Sequence, residues 1–87
     1  MRVLLAYQPP YDWSAMLQFL SARAVAGLEV VTDGGYARSI GLNGVHGTFS
    51  IEPADSDALV LTLDFPDVSA VPEIVARLRR MFDLDAE

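Results

Sequence analysis

Apolar and polar side chains alternate most clearly on either side of the dipeptide Asn43-Gly44, over residues 36–42 before it and residues 45–52 after it. Asn-Gly between two alternating runs is typical of a β-hairpin with a two-residue type I′ turn. Four cross-strand pairs follow from that turn: Leu42 with Val45, Ile40 with Gly47, Arg38 with Phe49, and Tyr36 with Ile51. Three of the four pairs place apolar groups on one face, so the register agrees with the hydrophobic pattern.

Three further runs have the character of strands. Residues 3–7 are apolar and are followed by two prolines, residues 28–32 are mostly β-branched, and residues 58–65 alternate with leucine at every second position. Short apolar or alternating runs of this length, bounded by proline, glycine or aspartate, predict strands. The Asp-Gly-Gly sequence at 33–35 predicts the turn between the second and third strands.

Two segments have the pattern of helices. Asp12 is a good N-cap for a helix from Trp13 to about Ala26, and Gly27 suits its C-terminal end. Pro72 fits the first turn of a closing helix that runs to about Phe82. The element order is then β-α-β-β-β-β-α over one domain, residues 1–87. We predict an α+β fold, an antiparallel sheet that includes a four-strand meander, with both helices on one face.

The first helix carries two apolar stripes. At about 100° per residue, one stripe suits packing on the sheet and comprises Trp13, Met16, Leu17, Leu20 and Ala24. The other lies about a third of a turn away and comprises Ala15, Phe19, Ala22 and Ala26. A helix that is apolar over most of its circumference is buried on more than one side. We therefore expect the second stripe to be covered by something outside this domain.

Spacing alone leaves a second interpretation of Phe19 open. Aromatic positions on helices are usually core positions, so Phe19 could instead close the edge of the domain's own core against the second helix. Trp13 heads the sheet-facing stripe and is expected in the core. Tyr11, beside two prolines, is expected to pack against the start of the helix.

Composition and charge limit the partners. The chain is 52% hydrophobic with a mean hydropathy of +0.29, more apolar material than one small core needs. Twelve acids against six arginines give a net charge of −6, and a domain that binds nucleic acid through phosphates normally has a basic patch. No apolar run reaches the roughly 18 residues of a membrane span, and no signal peptide begins the chain. We expect a cytoplasmic protein with no membrane partner.

Residues that could carry catalysis or bind a metal are few. His46 is the only histidine and there is no cysteine, so no His/Cys metal set can form. Asp55 and Asp57 fall in a solvated loop, and nothing near them or Asp64 in the sequence is typical of a general acid. We find no nucleophile–base pair, no cofactor fingerprint and no metal ligand set, and expect the chain to be non-catalytic by itself.

Two other features have structural interpretations. Gly41, Gly44 and Gly47 recur at three-residue spacing, but on a hairpin with no helix N-terminus to receive a phosphate, so they indicate backbone geometry. Arg38 is a charge on the apolar side of the hairpin. We expect it to extend to solvent or pair with an acid at the edge of the domain, in preference to a ligand contact.

Four segments together resemble the N-terminal domain of bacterial 3-methyladenine DNA glycosylase II, the AlkA family. They are Gln8-Pro9-Pro10-Tyr11-Asp12-Trp13, then Phe19-Leu20 with Arg23-Ala24, then Tyr36-Ala37-Arg38-Ser39, and Met81-Phe82-Asp83-Leu84. The similarity covers essentially the whole chain. It implies a β-α-β4-α fold like that of the TATA-binding protein, in agreement with the order of elements obtained from the pattern.

The resemblance also implies a function. Enzymes of this family flip an alkylated base out of damaged double-stranded DNA and hydrolyse its N-glycosidic bond without a metal or cofactor. Their catalytic aspartate and helix-hairpin-helix motif lie in domains that follow this one, so that catalytic domain is the implied partner. Phe19 matches the aromatic side chain that this domain contributes to the wall of the base pocket. Ala15, Ala22 and Ala26 would then dock the neighbouring domain.

A second function remains open at this point. The 87 residues contain no helix-hairpin-helix or catalytic-aspartate segment, so the chain is either one domain of such an enzyme or a stand-alone interaction or DNA-binding module of TATA-binding-protein-like fold. The predicted exposed face of the sheet argues against a DNA saddle, because it offers no arginine, lysine or aromatic wedge. Its residues are Ala37, Ser39, Gly41, His46, Thr48, Ser50, Glu52, Thr62 and Asp64.

Overall fold

A computed structural model describes residues 1–24, 29–32 and 34–85. The elements in chain order are β1 (Arg2–Ala6), α1 (Trp13–Arg23), β2 (Glu29–Val31), β3 (Tyr36–Leu42), β4 (Val45–Pro53), β5 (Ala58–Asp64), a 3₁₀ turn (Val68–Ala70) and α2 (Val71–Met81). The strands form one antiparallel sheet in the order β1-β5-β4-β3-β2. This confirms the predicted α+β class and element order. The meander runs from β2 to β5, and β1 pairs with β5.

The central hairpin has the predicted register. All four cross-strand pairs are present, from Leu42 opposite Val45 to Tyr36 opposite Ile51. The two turn residues, Asn43 and Gly44, have φ of 54° and 78°. Positive φ at both central positions is what a type I′ turn requires, and asparagine and glycine adopt it at the lowest cost.

Helix α1 is shorter than predicted, ending at Arg23 and not near Ala26. Ala24 is already extended, with φ −63° and ψ 136°. The physical reason lies in burial, because residues 21–24 are all exposed and the last turn of α1 therefore gains little from packing on the sheet. Most helical stability in proteins comes from such packing. The expected stop at Gly27 and the start of the second strand at residue 28 lie outside the described residues.

Both helices contribute to one core on one face of the sheet. Buried side chains come from the inward positions of the strands, from Trp13 of α1, and from Ile74 and Leu78 of α2. Phe82, just after α2, is fully buried at the centre. Its ring lies edge-on to those of Trp13, Tyr36 and Phe49, with centroid distances of 5.9, 6.0 and 6.5 Å. Edge-to-face pairs at these distances add stabilisation beyond the buried area.

The C-terminal end of α2 explains one core residue that the pattern did not predict. Asp83 adopts φ 56°, and the chain then folds back so that the amide of Leu84 donates to the carbonyl of Arg79 over 2.9 Å. This is a Schellman ending, in which an apolar residue after the turn packs against the last helical turns. Leu84 is accordingly only 2% exposed.

The segment before α1 is tied to the end of α2. The Pro9–Pro10 peptide bond is cis, and the hydroxyl of Tyr11 donates to the carbonyl of Phe82 over 2.7 Å. Burial, followed by the negative charge of Asp83, raises the pKa of Tyr11 to about 12. Tyr11 therefore forms a hydrogen bond that links the start of α1 to the end of α2, in addition to the packing that was expected of it.

Gly47 leaves no room for a side chain. A Cβ at this position would collide with the carbonyl oxygen of Asp64 and stand 2.8 Å from the Phe65 ring. We expect Gly47→Ala to lower the free energy of unfolding by about 1–3 kcal/mol, the range for overpacking a tight site. Gly34→Ala is the matched control, since a Cβ there has no neighbouring atom within 4 Å. Urea denaturation of both variants measures the difference, and equal midpoints would contradict the close approach.

Candidate functional site

Helix α1 begins as the sequence predicts. The Asp12 carboxylate accepts a hydrogen bond from the amide of Ala15 over 2.9 Å, which satisfies one of the free donors of the first turn. Trp13 is 9% exposed and its indole N–H donates to the carbonyl of Gly34 over 3.0 Å. The core position of Trp13 is confirmed, and its bond fixes the N-terminal end of α1 against the turn that precedes β3.

The two stripes of α1 have different surroundings. Met16, Leu17 and Leu20 are half-buried and pack against the core, as predicted for the sheet-facing stripe. The prediction was wrong for Ala24, which is exposed and follows the end of the helix. Ala15, Phe19 and Ala22 are exposed, and Phe19 keeps 49% of its surface accessible to solvent. Ala26, the fourth member of the predicted stripe, lies outside the described residues. Within this chain Phe19 does not close the core, so that interpretation is wrong. Its role as a pocket wall stays a prediction.

The exposed stripe of Ala15, Phe19 and Ala22, called the outer stripe below, has a charged side chain beside it. The guanidinium carbon of Arg23, one turn after Phe19, lies 4.3 Å from the centroid of the Phe19 ring. This distance is within the range of a cation–π contact. In the described part of the chain, neither of the two ion pairs includes Arg23. The outer stripe is therefore a ring between two alanines, with an arginine resting over the ring.

Arg38 pairs with an acid at the edge of the sheet, as predicted. Its guanidinium lies 3.6 Å from a carboxylate oxygen of Glu29 on β2, and the Tyr36 hydroxyl donates to the same oxygen. Burial, followed by this hydrogen bond, raises the pKa of Tyr36 to about 12. The three side chains fasten the short edge strand β2 to β3, which gives Arg38 a structural role.

The face of the sheet away from the helices is open. It forms a shallow depression of about 580 Å³ whose lining includes the small side chains of Ala37, Ser39, Thr48, Ser50 and Thr62. The pairing of β1 with β5 adds Arg2 and Leu4 to this face, and the pairing of β2 with β3 adds Val30. The statement that the face has no arginine was therefore wrong, because only the tertiary pairing decides which side of β1 faces outward.

The remaining polar candidates are dispersed. His46 is exposed on the open face, across the hairpin from Gly41, and Asp55 and Asp57 are exposed in the loop before β5. In the described ranges no group of three or more His, Cys, Asp or Glu side chains could hold a metal ion. No helix among the described residues is long and apolar enough to cross a membrane.

Comparison with known proteins shows which family of domains the chain belongs to, and then which individual proteins it resembles. The AlkA N-terminal domain family matches residues 2–87, and the chain therefore belongs to that family. Among individual proteins, it is 41% identical over 81 residues to DNA-3-methyladenine glycosylase 2 of Escherichia coli K12. It is also 37% identical over 84 residues to the probable bifunctional transcriptional activator/DNA repair enzyme AlkA of Mycobacterium tuberculosis. These matches cover 92% and 95% of the chain, but only 29% and 16% of the two relatives.

The exposure of Phe19 predicts a small effect on folding. Phe19→Ala should cost at most about 1 kcal/mol of unfolding free energy, compared with about 3–5 kcal/mol for a buried Phe→Ala change. Ile74→Ala, at a position only 1% exposed, should cost about 2–5 kcal/mol. Leu17→Ala and Leu20→Ala should fall between the two, because both side chains are half-buried. Denaturant melts of the four variants measure this order, and a Phe19→Ala loss equal to that of Ile74→Ala would contradict it.

Proposed function

We propose that the chain is the non-catalytic N-terminal domain of a DNA-3-methyladenine glycosylase that acts in base excision repair of alkylated DNA. In this role it supplies scaffold and one wall of the pocket that receives the flipped base. A helix-hairpin-helix domain outside these 87 residues is its partner, binds the damaged double-stranded DNA and hydrolyses the N-glycosidic bond. Such an enzyme would work in the cytoplasm. The observation that carries the proposal is the 49% exposure of Phe19 on an alanine-flanked face of α1.

The family and its named relatives support this assignment. The family model is that of an N-terminal domain, and the E. coli relative is named as a DNA-3-methyladenine glycosylase. That the chain spans about 29% of this relative fits a single domain of a larger enzyme. The element order, one strand, a helix, four strands and a helix, also supports the finer proposal that the topology is that of TATA-binding-protein-like domains.

The geometry of the outer stripe suits a pocket wall. Ala15 and Ala22 have no side chain beyond Cβ, so a second domain could approach the backbone of α1 closely, with the Phe19 ring protruding between them. Alkylation at a ring nitrogen leaves a purine with a positive charge, and an aromatic face attracts a cation by its quadrupole. That attraction is about 0.5–1 kcal/mol at an exposed site and about 2 kcal/mol when water is excluded. The attraction between the Phe19 ring and a cationic base would therefore increase once the pocket closes and excludes water.

Catalytic groups are not part of the proposed contribution. In the part of the chain that the structure describes, the charged side chain in contact with the Phe19 ring is that of Arg23. An arginine stays protonated and cannot act as a base. Proton transfer and activation of water therefore belong to the catalytic domain.

A chimeric enzyme tests the proposal. In it, the present chain replaces the 81 matched residues of the E. coli relative. We expect the chimera to release 3-methyladenine from methylated DNA, while the 87-residue chain alone releases none above background. Phe19→Ala in the chimera should lower the release rate at limiting substrate by roughly 30-fold, the factor that corresponds to losing a desolvated cation–π contact of about 2 kcal/mol.

Val30→Ala is the matched control for Phe19→Ala. Val30 is 57% exposed but lies on the open face of the sheet, away from α1. It should leave release unchanged. A folded chimera that releases no base, or one in which the two substitutions have equal effects, would overturn the pocket-wall role. Reproducible release by the pure 87-residue chain would overturn its non-catalytic character.

A stand-alone DNA-binding module is the second candidate, and the open depression on the sheet is the observation in its favour. Charge opposes it, since Arg2 is accompanied there by Glu52 and Asp64 and the chain carries −6 overall. We expect duplex binding weaker than micromolar at physiological salt, the weak end of non-specific binding. Fluorescence anisotropy in a salt titration measures it. Micromolar affinity with a steep salt slope would favour this second function.

A further inference from the structure

One outer edge of the sheet is formed by β1. This strand pairs with β5 on one side, and among the described residues no strand lies on its other side. Met1 and Leu63 exchange both backbone hydrogen bonds, over 3.0 and 2.8 Å. Because hydrogen-bonded and non-hydrogen-bonded pairs alternate along an antiparallel ladder, Arg2, Leu4 and Ala6 direct their N–H and C=O groups away from β5. All three residues are exposed, so the edge presents regularly spaced donors and acceptors to solvent.

Little in β1 protects this edge. Exposed edges in natural proteins are usually protected by lysine, proline, a bulge or a very short strand. The five residues of β1 lie in unbroken register with β5, and their only charged side chain is Arg2, at one end. Leu4 keeps 65% of its surface accessible, and a shallow groove of about 210 Å³ beside the edge is lined in part by Val3, Leu4 and Val60. The strand at the opposite edge, β2, has only three residues. The longer edge, β1, is therefore the one suited to accept another strand.

The sequence of β1 is complementary to itself. When two copies pair antiparallel with Leu4 opposite Leu4 of the second copy, Arg2 lies opposite Ala6 at both ends. The outward groups of these residues then meet in hydrogen-bonded pairs, each of which exchanges two bonds. The two Leu4 side chains come together on the open face, where Val60 lies across from Leu4 on β5. No like charges face each other in this register.

The charges near the ends of β1 favour the same register. Ala6 lies opposite the first residue of β5, which follows the loop that carries the exposed Asp55 and Asp57. The amide of Tyr7 donates to the carbonyl of Asp57 over 3.1 Å, so this loop lies beside that end of β1. Arg2 of the second copy would lie about two strand spacings, roughly 10 Å, from the start of β5. The two-fold axis repeats this approach of opposite charges at the other end.

We propose that β1 is a self-association surface, at which a second copy of this chain adds its own β1 in antiparallel register and continues the sheet across a two-fold axis. One strand from each copy makes the contact, so the buried area is at the small end of specific interfaces and the association is weak. Helix α1 packs beside β2, at the opposite edge of the sheet. The outer stripe is not part of this interface, and the inference does not depend on the function proposed above.

Backbone amides report the pairing directly. Hydrogen exchange of the 87-residue chain is measured by NMR from about 20 μM to about 1 mM, where weak complexes form. We expect exchange at Leu4 and Ala6 to slow as the concentration rises, by at least about two-fold once half of the chains are paired. The amides of Val3 and Leu5, which bond to β5, should be protected at every concentration. Exchange at Leu4 and Ala6 that does not change over this range would overturn the proposal.

A charge placed on the two-fold axis tests the register. Leu4→Lys puts two ammonium groups opposite each other, and like charges directly opposite in a sheet are destabilising. It should weaken self-association by about five-fold or more, measured by sedimentation equilibrium. Val30→Lys is the matched control, because Val30 is 57% exposed on the same face of the sheet but on β2. It should associate like the parent chain, and equal losses in the two variants would contradict the assignment to β1.

The outer stripe is the other surface through which two isolated chains could associate. Phe19→Ala should leave both the self-association and the slowed exchange at Leu4 and Ala6 unchanged. If Phe19→Ala abolishes association while Leu4→Lys does not, the copies meet through α1 and the inference is wrong. Release of 3-methyladenine by the chimera judges the proposed function separately, since that function involves α1 and this inference involves β1.

Discussion

The buried ring of Phe82 is the contact on which the architecture depends. It lies at the end of α2 and packs edge-on against Trp13 of α1, Tyr36 of β3 and Phe49 of β4. Its carbonyl also accepts the hydroxyl of Tyr11, so the segment before α1 is bound to the same point. One residue thereby joins both helices to the centre of the sheet. Its loss would remove ring contacts from three elements at once, which is the situation in which core substitutions are most damaging.

The outward orientation of the outer stripe of α1 follows from this packing around Phe82. Trp13 holds the beginning of α1 in the core, and burial then decreases along the helix through half-buried Leu17 and Leu20 to exposed residues 21–24. A helix fixed in this way cannot rotate, because turning the outer stripe inward would withdraw the indole from its cluster. The exposure of Phe19 is therefore imposed by the core. A small domain that leaves an aromatic ring and two alanines on one helix face has a surface suited to a partner.

The charge and the exposed surfaces of the domain indicate which part of the proposed enzyme's function it suits. Net charge −6 and a small-residue sheet face do not suit a grip on phosphates, whose binding normally relies on Lys and Arg. The exposed apolar face of α1 suits contact with another protein domain and an aromatic contribution to a shared cleft. Ligand sites commonly lie at such junctions between domains. Under the proposed function, the domain would contribute through the geometry that it gives to the cleft and not through contacts with phosphates.

The sequence determined the local elements because their causes are local. Asn43-Gly44 required its turn and hence the hairpin register, Asp12 capped α1, and helical periodicity separated the stripe of Phe19 from the stripe of Leu20. Short-range patterns of this kind are set by backbone geometry and side-chain spacing within one element. The motifs that resemble the family could also be recognised from the sequence alone, and the family match over residues 2–87 confirms the resemblance.

Tertiary structure decided whatever depends on contacts between distant segments. It ended α1 at Arg23, where the side chains of the last turn are exposed, and it buried Leu84 through the chain reversal after α2. It turned Arg2 toward the open face, since the outward side of β1 exists only once β1 pairs with β5. It also decided that Phe19 is exposed and carries Arg23. Periodicity places a residue on a face of a helix, but only packing determines whether that face meets the core or solvent.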